Sequence, residues 1–230
     1  LPALPISIDT TKAEVAEEAV RAGADILNDI SGLRFDPGMA RVARTYNVPL
    51  VLMHLRGRPK TMQRKPFVKS IWRSLHEGLG TSVRRALSLG VRRSQLILDP
   101  GLGFGKSRRQ NFEILANLHR LSQFSLPILT GASRKSFVQA VAAGEGLGRI
   151  TAGRNTAWPL TRSVACSSLT VAGSGRTRGS STPVSVATLD AIDAAITTSA
   201  ILAGAHIVRV HNVAVILPAV RLADTLLATL

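Results

Sequence analysis

The sequence repeats one unit six times: a short, nearly continuous apolar run that stops at or beside a polar residue and then passes into a helical pattern. The runs occupy residues 5–9, 25–28, 49–53, 95–99, 127–131 and 206–211. Strands that read as continuous rather than alternating apolar runs are covered on both faces, and interposed helices supply the crossovers that a parallel sheet requires. The first helix is the most legible. Thr11-Lys-Ala-Glu14 has the spacing of a capping box, Val15, Ala16, Ala19 and Val20 form an apolar stripe, and Gly23 suits the left-handed turn that ends a helix.

Such units build either an open doubly wound sheet or a closed barrel, and both place functional groups beyond the carboxyl ends of the strands. No glycine fingerprint follows the first strand, and polar residues recur at nearly every strand end rather than at one switch point. These features favour an α/β fold of the (β/α)8 type. A complete barrel takes about 250 residues and eight strands. Six runs, the first met almost at once, lead us to expect a single domain over residues 1–230 that lacks the first two barrel units. Residues 144–183 are dominated by Ser, Thr, Gly and Arg and lose regular apolar spacing, which predicts an irregular insertion before the last strand. The helical pattern resumes near Leu189, and a closing helix is expected over residues 218–230 with Pro218 in its first turn.

At 230 residues and 45% hydrophobic side chains the chain can bury a sizeable core, which excludes disorder throughout. No run approaches the roughly 18 apolar residues of a membrane span, so no membrane partner and a cytoplasmic location are expected. Lys and Arg number 29 against 14 Asp and Glu, yet the cations are dispersed and aromatics are only 4%. A nucleic-acid partner is therefore not expected, since base stacking needs aromatic platforms. Cys166 stands alone, without His or Cys at zinc-ligand spacing, and no residue is assigned as a metal ligand.

Asp9, Asn28 and Asp99 end three of the runs. A carboxylate at a strand end can accept two hydrogens from a flat heterocycle, and an amide supplies both a donor and an acceptor. For one aspartate alone, a helix cap or an ion pair explains its presence equally well; three such ends shift the balance. Asp29 should point away and serve structure. Asp99-Pro-Gly-Leu-Gly-Phe-Gly-Lys-Ser107 lets backbone approach a ligand, with Phe104 walling an aromatic pocket and Lys106 binding an anion or a loop carboxylate. It is not a phosphate-cradling P-loop, because Pro100 stands where the first glycine would be. In Gly131-Ala-Ser-Arg-Lys-Ser136, Lys135 can donate to a carbonyl, and Arg134 and Ser136 are available to a carboxylate. Arg209 and His211 are two apart on one strand and share a face, an arrangement suited to a phosphate group. Met53 and His54 are expected to line the pocket.

Six segments in order resemble the signature motifs of the dihydropteroate synthase family. They are Ser-Ile-Asp-Thr-Thr-Lys at 7–12, Asn-Asp-Ile-Ser-Gly at 28–32, Leu-Met-His-Leu-Arg-Gly at 52–57 with Pro-Lys-Thr-Met-Gln at 59–63, Leu-Asp-Pro-Gly-Leu-Gly-Phe-Gly-Lys at 98–106, Ser-Arg-Lys-Ser-Phe at 133–137, and Arg-Val-His-Asn-Val at 209–213. The resemblance implies a transferase of folate biosynthesis that joins 4-aminobenzoate to 6-hydroxymethyl-7,8-dihydropterin diphosphate, releasing diphosphate with the help of Mg2+. By the same resemblance Asp9, Asn28, Met53, Asp99 and Lys135 hold the pterin, and Phe104, Arg134 and Ser136 flank the aminobenzoate. Arg209 and His211 anchor the diphosphate, and Lys135, Arg209 and His211 are the catalytic set. A homodimer through helices near the C-terminal end is also implied.

Three departures qualify this. The family's first two strands, with the Asn that reaches the metal, are not in this sequence, Asn212 stands where the family usually has Asp, and the insertion after Phe137 is long. Competing readings are an inactive fragment or pterin-binding module and a methyltetrahydrofolate-dependent methyltransferase barrel. Methyl transfer releases no diphosphate, so the Ser-Arg-Lys-Ser and Arg-Val-His segments argue against the latter.

Overall fold

Each of the six expected strands forms, and each lies parallel to the one before it. A computed structural model describes residues 4–57, 61–62, 70–143 and 184–229. The expected insertion at 144–183 and Cys166 lie outside the described residues. The elements run β1 (Ser7–Asp9), α1 (Ala13–Arg21), β2 (Ile26–Asp29), α2 (Gly38–Tyr46), β3 (Leu50–Met53), α3 (Ile71–Ser88) and β4 (Leu96–Asp99). They continue with α4 (Arg108–Leu115), β5 (Leu129–Thr130), α5 (Ser136–Ala142), α6 (Val186–Leu202), β6 (Ile207–Val208) and α7 (Val213–Leu227).

Strands β1 to β4 pair in sequence order, β5 pairs with β6, and a parallel bridge from Leu98 to Ile128 joins the two sets. This ladder is curled rather than flat. Neighbouring strands lie about 4.8 Å apart, so five intervals would separate β1 from β6 by roughly 24 Å in a flat sheet. Yet Arg209, just past β6, places Nη1 3.8 Å from Oδ1 of Asp9, the last residue of β1. One side chain spans that gap only if the strands follow the wall of a barrel, with the two ends of the ladder turned toward one another. The architecture is that of the (β/α)8 barrel, and among the described residues it remains open between β6 and β1.

The core lies outside the strands. Leu27, Leu52 and Leu98 point to the helical layer and are fully buried, packed in one cluster with Ala16, Leu75, Leu79 and Ile114. By register the opposite face carries Asp9, Asn28, Val51 and Ile97, with Asp99 two residues beyond Ile97. Alternation of side chains therefore sends this second set into the barrel mouth. At the open end Ile207 remains 38% exposed.

Two local expectations are corrected. The capping box at Thr11 does not form: α1 starts at Ala13, whose N–H donates instead to Asp36 Oδ2 at 2.7 Å. The same carboxylate accepts from Gly38 N at 2.9 Å through Oδ1, so one distant aspartate caps the first turns of both α1 and α2. The buried stripe of α1 is consequently Ala13 and Ala16, while Val15 is 44% exposed. Pro218 lies inside α7, not in its first turn, because Asn212 accepts from Val215 N at 3.4 Å and starts the helix five residues before the proline. Gly23 does take the left-handed turn, at φ +105°.

Asp36→Ala should lower unfolding free energy by roughly 2 kcal/mol, about 1 kcal/mol for each cap lost. Urea denaturation beside wild type measures this, and a change below about 0.5 kcal/mol would show that the shared cap contributes nothing.

Candidate active site

Register brings the strand ends together. Asp9 pairs with Asn28 and Met53 with Asp99, so two neighbouring pairs of side chains project from β1–β2 and from β3–β4. Asn28 Nδ2 donates to Asp9 Oδ1. That contact fixes the amide, since an amide oxygen against a carboxylate would be repelled. Asn28 Oδ1 is thereby directed elsewhere, buried and without a hydrogen-bond partner. Such an acceptor costs free energy until an N–H reaches it.

Asp99 is 1% exposed and accepts from Gly101 N at 2.6 Å. Burial pushes its carboxyl above the ordinary value; the Gly101 N–H and the cations Lys135, Arg209 and Lys106 act in the opposite direction. Arg209 Nη2 lies 3.9 Å from Asp99 Oδ2, so its guanidinium stands between Asp9 and Asp99. Gly131 makes this reach possible: a Cβ there would come within 3.1 Å of Arg209 Nε.

Lys135 donates to Leu102 O and lies 4.7 Å from the centre of the Phe104 ring. Burial pushes its ammonium down to about 8, with Asp99 opposing and Arg209 adding to the shift. The loop it meets is held by glycines. Gly101 has φ +66°, and a Cβ on it would fall 2.2 Å from His54 O. Lys106 does not face an anion or a carboxylate; its Nζ donates to the carbonyls of His54, Gly101 and Phe104 at 3.1, 2.8 and 3.1 Å and ties the loop to the end of β3. Burial pushes Lys106 down to about 7. Asp29 turns from the mouth, as expected, and accepts from Ser31 N and Leu33 N at 2.8 and 2.6 Å.

Met53 is buried at the end of β3, and a Cβ on Gly101 would meet its Cγ at 3.1 Å. Together with His54, Met53 also lines a cavity of about 380 Å3 between the loops after β2 and β3 and helix α3. His54 Nε2 lies 3.3 Å from Ser74 Oγ, and burial pushes the imidazole down to about 3, so it is neutral. Arg134 adopts φ +56° and directs its guanidinium to Asp190, at 3.9 Å, while Ser136 opens α5 at the surface.

Sequence reasoning missed three residues. His211 Nδ1 lies 2.7 Å from Ser133 Oγ, and Ser133 in turn donates to Asp193 on α6. Asp190, one turn earlier, accepts from Asn212 Nδ2 at 2.8 Å. Both aspartates are buried, at 7% exposure for Asp190 and 3% for Asp193. The signal was present: two acids three apart share one face of a helix whose other residues in the segment 186–202 carry no charge.

Among the described residues no three His, Cys, Asp or Glu side chains converge on a point. The described residues therefore do not form a resident Mg2+ cage. No helix among them is long and apolar enough to cross a membrane.

Residues 1–211 match the family of pterin binding enzymes. The chain belongs to that family. The dihydropteroate synthase of Synechocystis sp. is 45% identical over 135 residues, covering 59% of this chain and 47% of that protein. The chain also superposes closely on solved structures. The Yersinia pestis dihydropteroate synthase in a sulfonamide drug complex gives a TM-score of 0.77 at 28% identity, over 99% of this chain and 68% of that one. The dihydropteroate synthase of Thermus thermophilus in complex with 6HMPPP gives 0.73 at 29%, over 97% and 72%. The chain spans about half the length of the curated relatives it matches.

Gly131→Ala should push Arg209 away from the two carboxylates without unfolding the barrel, because Gly131 does not require positive φ. We expect affinity for inorganic diphosphate to fall about tenfold, roughly 1.4 kcal/mol, by titration calorimetry; unchanged affinity would mean that Arg209 is not placed by this glycine.

Proposed function

We propose that the chain acts as a dihydropteroate synthase, condensing 6-hydroxymethyl-7,8-dihydropterin diphosphate with 4-aminobenzoate to give 7,8-dihydropteroate and diphosphate. The observation that carries this reading is the meeting of Asp9, Asp99 and Arg209 in one mouth, with Asn28 and Lys135 beside them. A flat heterocycle with amide and amino edges matches that set. Asp99 accepts its ring N–H and amino hydrogens, Asn28 Oδ1 gains the donor it lacks, and Lys135 donates to its carbonyl. Met53 walls the ring. Asp9, with its side chain 68% exposed against 2% for Asp99, contributes less.

The diphosphate would then lie toward Arg209 and His211. Arg209 grips it, and the bond from the pterin methylene to oxygen breaks with its electron pair leaving on the diphosphate. The electron-rich ring stabilises the cation at the methylene, and the aniline nitrogen attacks and sheds a proton. No side-chain nucleophile takes part. Phe104 and Ser136 are the expected aminobenzoate contacts, with Arg134 once freed from Asp190. Any Mg2+ would be carried on the phosphate oxygens, the ordinary mode for this ion at phosphates. A cytoplasmic location and a homodimer belong to the same reading.

Calorimetry with the dihydropterin diphosphate tests the proposal. Saturable binding lost in Asp99→Asn is expected, whereas a folded chain that binds nothing would leave an inactive relative. The affinity should also depend on pH in a set direction. Lys135 must be charged to donate most strongly and titrates at about 8, so affinity should fall as pH rises through 8. Lys135→Arg, which stays charged, should remove that decline; a decline that persists would assign it to another group.

A further inference from the structure

We infer that helix α6 supplies a positioning carboxylate for the diphosphate end of the site: Asp193, acting through Ser133, fixes the tautomer and ring orientation of His211. The hydroxyl of Ser133 has one hydrogen and two acceptor lone pairs. Its hydrogen is given to Asp193 Oδ2. One lone pair faces the backbone N–H of His211 at 3.4 Å, and the other faces His211 Nδ1 at 2.7 Å. With the hydrogen already committed, Ser133 can only accept from the ring, so the proton of the imidazole sits on Nδ1. Every valence of the hydroxyl is used, and ring and backbone of one histidine are held by a single atom.

Asp193 is 3% exposed, its Oδ1 is buried without a hydrogen-bond partner, and it sits on a helix that packs directly against the β5–β6 pair and the loop carrying Ser133. His211 itself is exposed. Its second nitrogen, Nε2, is the one left for a ligand or for a proton. A ring fixed in this way loses less freedom when it meets an anion, as with histidines oriented from behind at metal sites.

The inference about ligand affinity rests on the proposed function, but the tautomer does not, so the two fail separately. The experiment is NMR of the ligand-free full chain carrying 15N-labelled histidine, with the His211 signals assigned by their loss in His211→Gln. Wild type should show Nδ1–H. Ser133→Ala and Asp193→Asn should each shift the ring toward Nε2–H; in the second, the new amide can donate to Ser133 and reverse the direction of the chain. An Nε2–H ring in wild type, or a tautomer untouched in both folded variants, overturns the inference. If Asp193→Asn does not fold, Ser133→Ala decides it alone.

Calorimetry then reads the consequence. Both variants should bind the dihydropterin diphosphate about tenfold more weakly, the scale at which orienting partners of histidines act. The same pterin without its diphosphate should bind unchanged. Equal loss for both ligands would reduce Asp193 to a structural role, and no pterin binding by wild type would sink the proposed function while the NMR result still stands.

Discussion

The guanidinium of Arg209 between the carboxylates of Asp9 and Asp99 is the constraint on which the site depends. A carboxylate as deeply buried as Asp99 is costly unless donors and cations surround it. Here the Gly101 N–H, Lys135, Arg209 and Lys106 all act to keep it charged, against burial. Asp99, Gly101 and Lys106 come from the end of β4 and its loop, Lys135 from the segment after β5, Arg209 from beyond β6 and Asp9 from β1, so the full cluster exists only when the strands are curled. The same arrangement prepares the mouth for a ligand: at 3.8 and 3.9 Å the ion pairs are too long for hydrogen bonds and leave the guanidinium donors free to meet one.

Strand ends are rigid, but the loops beyond them need separate restraint. For the loop after β4 this is Lys106, whose three donors match three carbonyls, and the glycines that let backbone pass backbone. For the segment after β5 it is α6, through Asp190 and Asp193. The first restraint sets where Phe104 and Lys135 meet, and the second sets where Arg134 and His211 stand. Both depend on buried polar groups with at least one partner distant in sequence: His54 for Lys106, 52 residues away, and Ser133 for Asp193, 60 residues away. Each is therefore a tertiary device whose hydrogen bonds are strengthened by the dry interior around it.

This explains what was legible in the chain. Strand positions could be read because burial on both faces leaves a mark in composition, and Asp9, Asn28 and Asp99 share a face because register and pleat are periodic. Gly23 could be read because positive φ favours one residue type. Asp36 could not be assigned to α1, since its target is 23 residues away and the local Thr11 offered a sufficient cap on paper. Lys106 looked like an anion ligand because a lysine in a glycine loop has no local sign of the carbonyls it will meet. Ser133 was hidden for a similar reason: it reaches His211 across 78 residues.

The pairing of Asp190 with Asn212 bears on how this chain can change over time. Asn212 uses both ends of its amide, one on Asp190 and the other on the start of α7. An aspartate at 212 would keep the helix cap but replace the N–H donor to Asp190 with a second carboxylate, setting two acceptors face to face. The two positions are thus contingent on each other. With an acid at 190, a change of Asn212 to an acid would therefore need a compensating change at 190 or a proton held between the two groups.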